Sequence, residues 1–150
     1  AMNFSLYFFL LHKNFKQVLK NEEARNFLII VGASVLLIAL NILSNAIRYT
    51  PAGGQVIVST AYEASGDVVF RVRDTGVGMT PEQLARVFTP YAQAGSGTSA
   101  RYGGTGLGLV ISRAYCELMR GTLEVESEVG RGSVFTVRIP ARLERRAGGR

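Results

Sequence analysis

The 150-residue sequence predicts an α/β fold of the α+β kind, with paired strands set between helices. Three observations predict it. Residues 55–63 and 67–74 alternate in strand fashion around the turn Ala64-Ser-Gly66. Residues 122–128 and 133–140 repeat that arrangement around Val129-Gly-Arg-Gly132. Two helical stretches accompany the pairs, one carrying Leu36, Leu40, Leu43 and Ile47 at helical spacing, the other covering 109–119.

In chain order, the first 35 residues read as an apolar segment of foreign appearance. All three lysines (Lys13, Lys16, Lys20) and five of the eight Phe lie within residues 1–27, and beyond Lys20 every basic side chain is Arg. Ala1-Met2 has the look of a cloning remnant. No charged residue occurs from Asn26 to Ile47, a length that can cross a bilayer. The alternative is a helix apolar on every side, buried against the domain or against a second copy, which makes a homodimer through this segment an expectation.

Thr50-Pro-Ala-Gly-Gly54 ends the first helix, because Pro and paired Gly cannot continue it. Residues 92–105 are small, polar and Gly-rich and read as a mobile lid. Gly104-Thr-Gly-Leu-Gly108 then opens the second helix, and Gly121 closes it. The net charge of +6 sits at the two ends, since 51–140 holds eight Arg and eight acidic residues. The basic tail 142–150 is read as a solvated end, and nucleic-acid binding is not expected without aromatic interleaving or a basic stripe. The single cysteine, Cys116, excludes an internal disulfide, and no His/Cys cluster suggests zinc.

Four groups of residues carry chemistry. Asn41, Asn45 and Arg48 recur at i, i+4 and i+7 on one helix edge. Two amide oxygens and a guanidinium suit a metal–triphosphate, although Asn on a helix is otherwise an ordinary polar residue. Asp74 ends a strand, and Gly76 and Gly78 follow, so a carboxylate meets a loop that a planar base can approach. The Gly-rich turn before 109–119 offers backbone N–H groups to phosphate, but it is neither a P-loop nor a dinucleotide fingerprint.

In this order, "LNILSNAIRYTP", "DTGVGM", "RVFTPYAQ", "GGTGLGL" and "GRGSVF" resemble the N box, first Gly box, F box, second Gly box and last Gly box of the catalytic, ATP-binding domain of bacterial sensor histidine kinases. The resemblance covers about residues 36–141. It implies a two-layer α/β sandwich, a mixed, mostly antiparallel sheet with helices on one face, as in the histidine kinase, gyrase and Hsp90 group. It implies ATP and Mg2+ as cofactors, with Asn45 as the metal ligand, Asn41 supporting the metal–phosphate assembly and Arg48 contacting phosphate. Tyr49 would line the base, Asp74 would bind the adenine amino group, and Gly76 and Gly78 would admit the ring. Phe88 would anchor the near end of the lid. Gly104, Thr105, Gly106, Leu107 and Gly108 would surround the phosphates and nucleotide.

The implied activity is transfer of the ATP γ-phosphate to a histidine on a separate dimerisation domain, with a response regulator downstream and a cytoplasmic location. Two features depart from the family. Its strand and Asp before the N box are replaced by Val31-Gly-Ala-Ser34, and His12, the only histidine, lacks the acidic neighbour of a phospho-acceptor. Without an acceptor of its own the domain is expected to be inactive alone. A related weak ATPase is the first alternative, disfavoured because Asn41 stands where hydrolases carry a Glu. A chimeric or truncated nucleotide-binding module without kinase activity is the second. It is prompted by residues 3–40, which resemble a piece of a Trk-type potassium transporter subunit.

Overall fold

The computed structural model describes residues 22–91 and 106–140. The chain divides into two compact units, Ala1–Leu36 and Leu37–Arg150, and helix α1 (Glu22–Tyr49) contributes residues to both. Within the first unit, Glu22 and Glu23 occupy the first turn of α1, where negative charge suits the helix N-terminus. Ser34 folds its hydroxyl back to the Ile30 carbonyl at 2.8 Å. The stretch 31–34, where the resemblance expects a strand, is helical. Ile29, Ile30, Val35 and Leu36 are exposed. The stretch Ile29–Tyr49 is long and apolar enough to cross a membrane.

The second unit is built on a four-stranded sheet: β1 (Val56–Tyr62), β2 (Asp67–Asp74), β3 (Thr122–Glu128) and β4 (Gly132–Pro140), in the order β1-β2-β4-β3. All three pairings are antiparallel. The two hairpins join along β2 and β4, with Phe70 opposite Val137 and Val72 opposite Phe135. Inward positions of three strands (Val72, Leu123, Phe135, Val137) pack with Ile38, Ile42 and Ala46 of α1 and Cys116 of α3 (Gly108–Leu118). The apolar row that α1 buries is therefore 38, 42 and 46. Leu36, Leu40 and Ile47 of the other row are exposed.

β1 forms one edge of the sheet and is exposed from Ile57 to Tyr62. On the outer face, Val69 is nonetheless buried. Its register partners are Ala61 and Arg138, and Arg138 donates to Glu63 at 2.6 Å.

Short helix α2 (Pro81–Arg86) was not expected from periodicity, but its start carries a full capping box. Thr80 accepts from the Gln83 N–H at 3.3 Å, and the Gln83 side chain accepts from the Thr80 N–H at 2.9 Å. Helix α3 ends in a Schellman turn, with the Gly121 N–H bonded to the Cys116 carbonyl and the Arg120 N–H to that of Glu117. Arg120 takes the left-handed position there, at φ 57°. Arg120→Gly should therefore raise stability by about 1 kcal/mol, the cost an L-residue bears in that conformation. Urea unfolding checks this, and an unchanged or lower midpoint would contradict it.

Candidate functional site

The sequence-predicted residues gather at the ends of three elements of the second unit. Asn41, Asn45, Arg48 and Tyr49 lie on the last turns of α1. At about 100° per residue, Asn41 and Asn45 fall beside the buried row of Ile38 and Ile42, and both are half-buried. Arg48 sits further round, with Leu40, Leu43, Ser44 and Ile47 on an open groove of about 410 Å3.

Asp74 terminates β2 and is 3% exposed. One carboxylate oxygen, Oδ1, accepts from the Gly76 N–H at 2.8 Å and from the Ser133 N–H at 3.2 Å. Its other oxygen takes no hydrogen bond among the described residues, and no buried side-chain oxygen there is sealed off without a partner. Two backbone donors thus fix the carboxylate while leaving one acceptor available.

The loop after Asp74 and the turn between β3 and β4 support each other. The Val77 N–H donates to the Tyr49 carbonyl at 3.2 Å, which ties the loop to the end of α1. The Gly130 N–H donates to the Val77 carbonyl at 2.9 Å. Gly132, at φ 94°, passes so close that a Cβ there would run into the Asp74 carbonyl. A side chain at Gly78 would meet the Glu128 carbonyl in the same way. Beside them, Thr75 accepts from the Gln55 N–H at 2.8 Å, and the Ser127 and Ser133 hydroxyls lie 2.9 Å apart.

At the other end of the site, α3 begins at Gly108 with no side-chain cap on its first turn. Its N–H groups and the positive end of its dipole are the features that bind anions at a helix N-terminus. Asn41 reaches it, since a Cβ on Gly108 would come within 2.9 Å of Asn41 Oδ1, and Asn41 Nδ2 donates to Ser112 Oγ at 3.3 Å. Gly106 packs on the backbone of Tyr91. Phe88 receives the Arg113 guanidinium over its ring at 5.2 Å, and Glu117 holds that guanidinium from the side at 3.0 Å. Gly104 and Thr105, and the rest of the expected lid, lie outside the described residues.

Three contributors escaped the sequence reading: Ser112, Ser133 and Arg113. Each acts across a long sequence separation, so no local pattern marks it. The buried Cys116 thiol is pushed up to about 11, first by burial and then by the neighbouring Glu117 charge, which leaves it inert at neutral pH. Among the described residues no group of three or more His, Cys, Asp or Glu could form a metal cage. One or two amide oxygens beside an open helix N-terminus do suit Mg2+, which keeps waters and arrives with substrate phosphates.

The profile of the family described as Histidine kinase-, DNA gyrase B-, and HSP90-like ATPase matches residues 32–143. The cell-division control histidine kinase PdhS of Brucella anthropi is 44% identical over 115 residues, which covers 71% of this chain and 11% of that protein. The structure of full-length ShkA in complex with AMPPNP superposes with a TM-score of 0.62 at 34% identity, covering 71% of this chain and 21% of that one. The mycobacterial sensor histidine kinase MprB gives a TM-score of 0.62 at 25% identity, covering 72% of this chain and 70% of that one. The chain spans about a tenth of the length of the PdhS relatives it matches. It belongs to the histidine kinase-, DNA gyrase B- and HSP90-like ATPase family, as an ATP-binding catalytic domain of the histidine kinase type.

Proposed function

We propose that this domain binds Mg-ATP between the end of α1, the Asp74–Gly78 loop and the start of α3, and gives the γ-phosphate to a histidine on a separate dimerisation domain. The observation that carries transfer over hydrolysis is Asn41. It lies at the N-terminus of α3, four residues before Asn45, and a carboxamide cannot take a proton from water at neutral pH.

Asp74 would accept from the adenine amino group with its available oxygen, and Tyr49 would border the base. Asn45 would ligate the cation with Asn41 beside it, while Arg48 and the N–H groups of α3 would hold phosphate oxygens. Mg2+, when bound, supplies charge neutralisation to the triphosphate. Gly104 to Gly108 and Phe88 would close over the nucleotide.

Titration with ATP and Mg2+, followed by addition of a histidine-bearing dimerisation domain, tests this. Nucleotide binding with little hydrolysis and phosphate appearing on the added domain is the expected result. No binding at millimolar ATP, or steady turnover that Asn41→Ala abolishes, would refute it.

One observation favours a second reading, a nucleotide-binding module without transfer: residues 31–34, where the resemblance expects a strand, are part of a helix. The transporter resemblance of 3–40, pairing of copies through 1–35 and a cytoplasmic setting belong to this proposal and rest on the sequence. Deleting residues 1–30 tests whether the segment belongs to the fold, and phosphate transfer to the added dimerisation domain separates the two readings. Loss of solubility or of nucleotide binding would tie the segment to the fold, and unchanged behaviour would make it dispensable.

A further inference from the structure

Asn41 has a partner outside the five sequence motifs. Ser112 lies one turn into α3, is fully buried, and accepts from Asn41 Nδ2 at 3.3 Å across 71 residues of sequence. The opposite end of the same carboxamide, Oδ1, lies beside Gly108 at the first turn of that helix. The amide is thus held between two successive turns of α3, with its nitrogen inward and its oxygen at the open N-terminus.

We propose that Ser112 is a positioning residue: its buried hydroxyl fixes the Asn41 carboxamide so that the oxygen faces incoming phosphates and their divalent cation. The inference rests on the nucleotide reading above. An Asn side chain turned by 180° occupies nearly the same volume but exchanges acceptor for donor. Turned that way, it would place an NH2 group beside helix N–H groups that already carry partial positive charge, and would repel a cation. A helix N-terminus alone favours anions and does nothing for Mg2+. An acceptor oxygen held at its mouth lets one locus serve both charges. The helix N–H groups favour the outward oxygen and the Ser112 hydroxyl anchors the nitrogen end, so without that anchor the carboxamide is released to swing off the mouth of the helix.

Two readouts on the full chain test this. In the ligand-free protein, the Asn41 side-chain NH2 signals in a 15N–1H spectrum, assigned with Asn41→Asp, should move in Ser112→Ala and in Ser112→Cys. The cysteine variant keeps the side-chain volume and weakens the acceptor, so it separates hydrogen bonding from packing. Unmoved amide signals would overturn the proposal.

Titration with the non-hydrolysable analogue AMPPNP should show both variants weakened about tenfold in Mg2+, the loss typical of groups that orient metal ligands, and less than about twofold in EDTA. A loss equal in Mg2+ and EDTA, or Ser112→Cys matching wild type in both, would show a packing role only and overturn it. If the wild-type chain binds AMPPNP in neither condition, the nucleotide reading and this role fall together. Wild-type binding that is indifferent to Ser112 sinks the positioning role alone.

Discussion

Asp74→Asn should weaken ATP binding by roughly ten- to a hundredfold while leaving the fold intact, because an amide NH2 would replace the acceptor that the proposed function sets against the adenine amino group. Mispairing a largely buried polar group costs about 1–3 kcal/mol, which sets that range. The fold survives because the Asn carbonyl can still take the Gly76 and Ser133 N–H groups that Asp74 Oδ1 accepts. The same NH2 could donate to the carbonyl oxygen of guanine, so the preference for ATP over GTP should shrink in parallel. Calorimetric titration of both nucleotides, with a melting curve as the fold control, measures this. Equal losses for ATP and GTP would remove Asp74 from base recognition. Asp74→Ala is the less informative change, since it strands two backbone donors and confounds binding with stability.

Gly132→Ala should destabilise the domain by about 3 kcal/mol, a large share of the 5–15 kcal/mol that a folded domain possesses. Two effects combine: φ 94° is unfavourable for any side chain, and the new Cβ runs into the Asp74 carbonyl. Gly130 supplies the control, because it sits at φ 77° in the same turn with nothing within 4 Å of a Cβ. Gly130→Ala should therefore cost only the backbone strain, about 1 kcal/mol. The difference between the two variants in urea measures how tightly the closing turn presses on β2. If the two cost the same, the close approach contributes nothing. Nucleotide affinity should fall with Gly132→Ala as well, since moving that turn draws the Ser133 N–H away from Asp74.

Much of this architecture was legible in the residues. The strand pairs announced themselves through alternation and Gly turns, and Asp67–Asp74 and Thr122–Glu128 run over the expected residues. The helix after the Gly-rich turn starts at Gly108 and ends at Leu118, one residue earlier at each end than the apolar spacing suggests. Less could be read where the chain is uniformly apolar. In α1 several spacings qualify as a stripe, and which row is buried is decided by the sheet that meets it, so 38, 42 and 46 could not be told from 36, 40, 43 and 47. The exposure of Ile57 and Val58 was hidden for a related reason, since a strand's residues do not state whether a neighbour covers them. Helix α2 was readable from Thr80-x-x-Gln83 but too short to show a period. The roles of Ser112 and Ser133 depend on hydrogen bonds spanning 71 and 59 residues, which leave no local trace.

The bond between Ser133 and Asp74 has a kinetic consequence. It joins the second hairpin to the first, and loops of that length close late compared with the local turns inside each hairpin. A chain that has formed only β1 and β2 holds the Asp74 carboxylate by the local Gly76 N–H alone, and the second donor arrives only when β4 docks. Ligand that binds the completed site should slow unfolding, and it should speed refolding only if β4 has already docked in the transition state. In the cell, protection by ATP would come only to chains that have already finished folding.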